Sequence, residues 1–478
     1  DPGIGLGRFG ACIEQAQPQA FIGVSLAHAV RVLFGWGRAS MRTHITVGRR
    51  WFWGGATYKQ LLQAGRIDAE IAPTAADDPA AILFTSGATG PPKGVLYRHR
   101  HFAEQVRMIG GLYGIQPGEV DLPTFPLFAL FDPALGMTTV IPRMDFTKPA
   151  RVDPKEIIGA VRRFSATNLF GSPALLDTVV SYAVANNEQM PTLRRVITAG
   201  APVRPDILRK ARAVIAPDGC IHTPYGATEN LPVSSVESRT ILDETEPLTA
   251  SGHGVCVGHP HPDNDVVVIA ITDEALPTWD RATPLAARKI GEITVMGPTT
   301  TDTYFGRPEA TKKAKIDCSG ETRHRMGDAG YFDDQGRLWY CGRLAHRLVV
   351  DGQMHFTLPA EGIFNAHADV HRCALVGAAV GATVGGRVVP TIVWERAPNS
   401  RRNPLEIEAE LAALRDRYEA SACVAQFLFY GAGKTLPVDI RHNAKIDRPV
   451  LQRWATKRTT TGPKLLAKSP EPPAGSGA

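Results

Sequence analysis

Four short stretches of this 478-residue chain collect side chains suited to handling phosphate and carboxylate charge. The first is TSGATGPPKG, Thr85 to Gly94, directly after the apolar run 81–84. It holds three Gly, two Pro, three hydroxyl side chains and one Lys. Its spacing departs from the Walker phosphate loop, because two prolines separate Gly90 from Lys93. The physical logic survives the mismatch. Gly87 and Gly90 let backbone N–H groups close on an anion, Thr85, Ser86 and Thr89 add donors, and Lys93 adds charge. An ordinary strand-to-helix turn accounts for the same residues.

The second stretch is TPYGATE, residues 223–229. Tyr225-Gly226 can lie beside a base, Thr228 on a phosphate and Glu229 on Mg2+, a metal usually held by one carboxylate plus substrate phosphates. A Pro-Tyr-Gly turn with a solvated Glu fits equally well. The third, MGDAGYFDDQGRLWYCGR at 326–343, offers Asp328 to ribose hydroxyls with Arg343 as support. A hairpin with surface charges accounts for it too. The fourth, PVDIRHNAKIDR at 437–448, sets Lys445 in a polar turn, where most lysines are merely solvated.

The elements that must carry these stretches read as α/β. Residues 1–130 alternate short apolar runs with helical patterns, and residues 97–114 form a helix expected to close on Gly110-Gly111. RRVITAGAP reads as a strand ending in a Gly200-Ala201-Pro202 loop. The helix after it has the apolar face Ile207, Leu208, Ala211, Val214 and Ile215, and Pro217-Asp218-Gly219 stops it. DVVVIAI, GEITVMG and the hairpin-like GYFDDQGRLWYCG give a small β-rich subdomain at about 255–343. NPLEIEAELAALRDRYEA, from Asn403, is a helix with Asn403 as cap and Pro404 in its first turn. The expected organisation is a large multi-layer α/β domain over 1–343, a small α+β domain over 344–457 carrying Lys445, and a disordered tail over 458–478.

Composition narrows the function classes. An apolar fraction of 44% and a charged fraction of 21% are those of an ordinary globular protein, and the length calls for roughly two to four domains or subdomains. A net charge of +6 forms no stripe and has no interleaved aromatics, so nucleic acid is not an expected partner. No apolar run approaches about eighteen residues, so no transmembrane segment is expected. Seven scattered cysteines without a C-x-x-C pair point to reduced thiols and a cytoplasmic setting. The opening DPGIGLG has neither initiator Met nor a basic leader, which raises the expectation that an N-terminal portion precedes it. Histidines 99, 101, 253, 259 and 261 lack ligand spacing and a Cys partner, so no zinc is assigned. The apolar stretch Phe125 to Phe131 serves either as an acyl-channel wall or as a core segment.

The joint order of the four motifs resembles the adenylate-forming superfamily of acyl-CoA synthetases, peptide-synthetase adenylation domains and firefly-type luciferases. Thr85, Ser86, Gly87, Thr89, Gly90, Lys93 and Gly94 match its phosphate loop, and YGATE, Gly327-Asp328, Gly342-Arg343 and NAKIDR match its later blocks. The resemblance runs from residue 1 to about 455. It implies ATP and Mg2+ as cofactors, Glu229 on the metal, Lys445 and Thr228 as catalytic groups, and Asp328 and Arg343 at the ribose. It also implies an adenine site formed by Gly200-Ala201-Pro202 and Tyr225-Gly226, and a small domain that rotates.

Within that superfamily, DLPTFPLFALFDPALG, NLFGSPAL, HRMGDAGYFD and LPVDIRHNAKI are similar to the β-lactone synthetases of bacterial long-chain olefin biosynthesis. That likeness implies a long-chain 3-hydroxy fatty acid as substrate, passing along Phe125, Phe128, Ala129 and Phe131. Its implied products are a β-lactone, AMP and pyrophosphate, and its pathway partners a reductase and an α/β-hydrolase-like decarboxylase. Two positions depart from the CoA-using ligases. Ala345 stands where a hinge carboxylate is normal, and Ala129 where many have His. Both weigh against a CoA-dependent step. The competing readings are a long-chain fatty acyl-CoA ligase and a non-catalytic nucleotide- or acyl-binding scaffold.

Overall fold

The sheet that dominates the first half begins with short parallel strands. In the computed structural model, which describes residues 5–65, 70–85, 92–125, 128–380, 387–431, 433–438 and 445–461, Val120–Pro123, Asn168–Gly171, Arg195–Thr198 and the start of Cys220–Ala227 pair in parallel. Asp121 lies opposite Asn168, Asn168 opposite Arg195, and Arg195 opposite Cys220. Such strands need helices to cover them. Pro154–Phe164, Pro173–Ala185 and Pro205–Val214 supply the cover, each with Pro in its first turn. Asp153 and Ser172 cap the first two by accepting from the N–H groups of Lys155 and Leu175. The expected face of Ile207, Leu208, Ala211, Val214 and Ile215 is buried, in one cluster with Ile157, Val161, Leu175 and Val179.

Past Tyr225 the sheet turns antiparallel. Cys220–Ala227 pairs with Asn230–Glu237, which reaches Val255–Pro260 through Ser234–Pro260 and Ser235–His259. Leu338–Arg343, Glu321–Phe332, Gly291–Met296 and Asp265–Ile269 follow in that order. Among the described residues the β-rich stretch therefore continues the same twelve-stranded ladder.

Two local expectations need correction. The stretch Thr85 to Gly94 does not lead into a helix; it joins Pro79–Phe84 to Gly94–Arg98, an antiparallel pair. The helix follows the second strand and runs from His99 to Tyr113. It passes through Gly110-Gly111 and closes on Gly114 at φ 59°. A Cβ on Gly110 would stand 3.0 Å from Leu135 Cδ2, whereas one on Gly111 would meet open space.

The chain divides into two compact units. The first comprises Asp1–Thr249, His253–Ala345 and Val438–Lys445, and the second Ala250–Gly252, His346–Pro437 and Ile446–Ala478. In the second, strands Val370–Val380, Arg387–Arg396 and Gln426–Phe429 form a sheet packed with Thr357–Asn365, Pro404–Arg415 and Arg448–Thr461. Asn403 caps its helix, accepting from Leu405 N at 3.0 Å, but that helix stops at Arg415, short of the predicted span. The last helix continues to Thr461, so residues 458–461 are helical where a disordered tail was expected. Residues 462–478 lie outside the described residues. No helix among the described residues is long and apolar enough to cross a membrane.

Candidate active site

The strand Cys220–Ala227 delivers the second motif, and an irregularity in its pairing between Tyr225 and Ala227 sets the side chains there. Tyr225 is buried, and Gly226 is exposed against a tight neighbour: a Cβ on it would meet the Asn230 carbonyl at 2.9 Å. The Tyr225 phenol donates to Asp328 Oδ2 at 2.7 Å. Asp328 lies opposite Arg343 in the ladder, and Arg343 Nη1 stands 3.1 Å from Asp328 Oδ1. Arg343 Nη1 also donates to the Met326 carbonyl at 3.1 Å.

Burial pushes the Asp328 carboxyl above its ordinary value, while Arg343, the Tyr225 hydrogen bond and the charge of Lys445 in the same unit pull the other way. The Tyr225 phenol is held well above its usual range by burial and then by Asp328, so it stays a donor. Among the described residues Asp328 Oδ1 accepts no hydrogen bond, although Arg343 sits close to it. A buried carboxylate oxygen with spare acceptor capacity suits a hydroxyl-bearing ligand.

A second cluster surrounds Glu229, which is buried. Its Oε1 accepts from the Tyr304 hydroxyl at 2.6 Å, and its backbone carbonyl accepts from Thr301 N at 2.9 Å and Thr301 Oγ1 at 3.1 Å. The Thr228 carbonyl accepts from the Tyr97 hydroxyl at 2.5 Å. Burial and Glu229 raise the Tyr304 phenol, which keeps it protonated. Lys93 Nζ lies 4.9 Å from the centroid of the Tyr304 ring, a cation–π distance. The hairpin ladder holds that lysine in place: Thr85 N donates to the Lys93 carbonyl at 3.0 Å, and Lys93 N to Thr85 Oγ1 at 3.4 Å.

Behind Glu229 lies a buried lysine. Lys315 Nζ donates to the Thr301 carbonyl and to Thr301 Oγ1, and burial pushes its ammonium down to about 8 against the pull of Glu229 and Asp302. Arg98 and Arg100 each hold Asp302 at 2.9 Å. His101 is fully buried and pushed down to about 4, first by burial and then by Arg100, so its imidazole is neutral at pH 7.

Of the predicted phosphate-loop residues, Thr85 and Lys93 belong to this hairpin, and Ser86, Gly87, Thr89 and Gly90 lie outside the described residues. Gly200 takes φ 102° after strand Arg195–Thr198, followed by half-buried Ala201 and exposed Pro202. Lys445 is exposed and grouped with the first unit. Phe128 stacks on Phe170 with centroids 3.7 Å apart, and Phe131 lies 6.0 Å from Phe128. Phe128, Phe131, Phe170, Ile197, Ala199 and Pro224 line an apolar cavity. Phe125, which is exposed, and Ala129 are not among its lining residues. Sequence reasoning missed Tyr304, Thr301 and Lys315, which sit in TTTDTYFG and ATKKAK without a motif of their own.

The AMP-binding enzyme family matches residues 1–305. The chain is 48% identical over 465 residues to an olefin beta-lactone synthetase of Xanthomonas campestris, covering 96% of this chain and 81% of that protein. It is 48% identical over 462 residues to the olefin beta-lactone synthetase of Stenotrophomonas maltophilia, covering 95% and 81%. Among solved structures, an amide bond synthetase from Marinactinospora thermotolerans superposes with a TM-score of 0.75 at 22% identity, over 95% of this chain and 83% of that one.

Proposed function

This chain belongs to the AMP-binding enzyme family, and within it to the olefin beta-lactone synthetases; on that premise we propose that it converts a long-chain 3-hydroxy fatty acid to a β-lactone. ATP drives the reaction through an acyl-adenylate, with AMP and pyrophosphate released. The difficulty of the first half is electrostatic. A carboxylate nearing the α-phosphate is an anion approaching an anion, and two unit charges about 4 Å apart at an effective dielectric near 20 repel by roughly 4 kcal/mol. Uncompensated, that is about three decades of rate.

Lys445 is the group we assign to that charge, as an ammonium acting on the transferring centre. Glu229 fits a magnesium ion, since its buried carboxylate is oriented by Tyr304 through one oxygen, and one carboxylate plus substrate phosphates is how that ion is usually held. Bound there, Mg2+ would neutralise phosphate charge. The Thr228 hydroxyl and the stretch Thr85 to Gly94, with Lys93, hold the phosphates and the departing pyrophosphate. Asp328 accepts from the ribose hydroxyls, and Tyr225-Gly226 and Gly200-Ala201-Pro202 flank the adenine.

In the second half the β-hydroxyl oxygen bonds to the acyl carbon, the bond from that carbon to the AMP oxygen breaks, and the hydroxyl proton is lost. The attacking and attacked atoms share one molecule, so proximity favours closure. No thiol is needed, nor a rotation of residues 344–457 to admit one. Ala129 and Ala345 support a CoA-independent route. The seven cysteines, all free, suit a reducing cytoplasmic setting. A reductase would supply the hydroxy acid, and an α/β-hydrolase-like decarboxylase would consume the lactone.

The observation that carries this reading is the buried Asp328 between Tyr225 and Arg343, with one oxygen still able to accept. The test is to incubate the protein with MgATP and a long-chain 3-hydroxy acid and identify the lipid by NMR or low-temperature mass spectrometry. The expected product is the lactone, with no acceleration by CoA, and the matching acid without the hydroxyl should stall at the adenylate. Acyl-CoA as the main product from either acid would replace this reading with a ligase.

A further inference from the structure

The apolar cavity ends on two acids that the chemistry above does not use. Its depth follows from strand pleating. Asp121 and Asn168, then Phe170 and Ile197, fall in register two residues apart along neighbouring parallel strands; Ala199 and Pro224 lie two residues beyond the paired Ile197 and His222, and all six line the cavity. Positions i, i+2 and i+4 face one side of a sheet, and four residues of strand span roughly 13 Å. The near end is next to the proposed adenylate, since Ala199 precedes Gly200 and Pro224 precedes Tyr225. The far end is Asp121 and Asp132.

Both acids are almost fully buried, at 5% and 2% exposure. Asp121 lies opposite Thr139 in the ladder, and Asp132 Oδ2 accepts from Thr139 Oγ1 at 2.8 Å, which brings the two acids to the same point. Two acids buried side by side disfavour a second negative charge, so the pair holds a proton. The nearby polar groups are otherwise engaged. Asn168 Nδ2 donates to Glu119 Oε2 at 2.6 Å, and Arg195 Nη1 pairs with the same oxygen at 2.5 Å. Ile109, Leu135, Phe128, Phe131 and Leu169 complete an apolar wall. Hydrogen-bonding capacity is thus concentrated at the bottom of a pocket whose sides have little. A singly protonated pair keeps oxygens that can accept from a hydroxyl, whereas a methyl group pressed against it offers no donor and excludes polar contacts.

We propose that Asp121 and Asp132 form a polar end-stop of the acyl cavity, which rejects methyl-terminated chains long enough to reach it and accepts a hydrogen-bonding chain end such as a terminal hydroxyl. The proposal rests on the cavity beside Phe128 and Phe131 being the acyl site. Burial, and Asp132 beside it, push Asp121 up to about 8, in keeping with a proton retained at neutral pH.

The experiment measures pyrophosphate release with 3-hydroxy acids lengthened in two-carbon steps, each compared with its equal-length partner ending in a hydroxyl. In the wild type, kcat/KM should fall by about tenfold or more once a methyl end reaches the floor, the size of roughly one lost buried hydrogen bond, and the terminal hydroxyl should restore it. Asp121→Leu/Asp132→Leu should abolish both the limit and the hydroxyl preference while leaving the shorter acids unchanged. That unchanged short-chain activity also shows the variant is folded. The isosteric Asp121→Asn/Asp132→Asn variant, which keeps polarity and volume, should retain the hydroxyl preference. A wild type indifferent to the end group, or a length limit that survives in the double Leu variant, would overturn the proposal while leaving the acyl-adenylate reading intact. Absence of pyrophosphate with every acid, short ones included, would overturn that reading and the end-stop together.

Discussion

Asp328 and Asp121 are both buried aspartates on strands of the same sheet, yet one is given a cation and the other a second acid. Burial raises both. At Asp328, Arg343 at 3.1 Å, the Tyr225 hydroxyl and the charge of Lys445 work against the rise, which favours an anion that accepts hydrogen bonds. At Asp121, Asp132 adds to the effect of burial and together they outweigh the opposing pull of Arg195, so the proton stays. On the assignments proposed above, the same residue type thus serves as an acceptor toward the nucleotide and as half of a proton-holding pair toward the acyl chain. Burial is the largest influence on both, and the neighbour sets whether it is opposed or reinforced.

The sharpest way to probe the nucleotide end is to remove its outlying cation. Lys445→Ala should lower pyrophosphate release by about a thousandfold or more, the scale of the uncompensated charge, with ATP affinity by calorimetry little changed. Wild-type turnover in that variant would end the assignment. Next in size is Asp328→Asn, which keeps the shape but removes the charge that strengthens hydrogen bonds to hydroxyls. The KM for ATP should rise about tenfold, and kcat should change less; an unchanged KM would mean that Asp328 does not meet the nucleotide. Tyr304→Phe deletes one hydrogen bond to Glu229, and titrating activity against Mg2+ should show a requirement raised by about fivefold, in line with roughly 1 kcal/mol.

The prediction at the acyl end is read in stability and has a definite sign. Asp121 binds its proton more tightly folded than unfolded, since its value rises to about 8 from an ordinary value near 3.9. Folded-state stability should therefore fall as pH rises through that window and level off above it. Thermal melts across the window should show a shallower slope for Asp121→Asn than for wild type. Equal slopes would mean that the pair does not hold a proton preferentially in the fold.

Legibility in the sequence followed how local each feature is. Tyr225, Glu229, Asp328 and Arg343 sit in short blocks whose residue types state their chemistry, and the apolar face of Pro205–Val214 follows from helical periodicity alone. Tyr304 and Lys315 were invisible because each acquires meaning only from a partner far along the chain, Tyr304 through Glu229 and Lys315 through Thr301 in a turn with no motif. The same holds for Asp121 and Asp132, which fall in DLPTFPLFALFDPALG among residues read only for their apolar character. Gly110-Gly111 is not a stop signal because the residue that takes the left-handed conformation and closes the helix is Gly114. The strand-to-helix alternative for Thr85 to Gly94 fails because the strand Gly94–Arg98 intervenes, short and running directly into His99–Tyr113.

The pleat that sets the cavity's rows also limits how the pocket can be retuned. Inward positions on a strand recur roughly every 6.7 Å, so a substitution at Phe170 or Ile197 lengthens or shortens the pocket by a whole rung. The helix His99–Tyr113, which contributes Ile109 and Tyr113 to the same cavity, repeats on a different pitch of roughly 5.4 Å. Two scales of unequal spacing read against each other as a vernier does. With this cavity as the acyl site proposed above, exchanges on the strands make coarse jumps in the accepted chain and exchanges on the helix make the finer corrections between them, which gives protein engineers two separate dials on one channel.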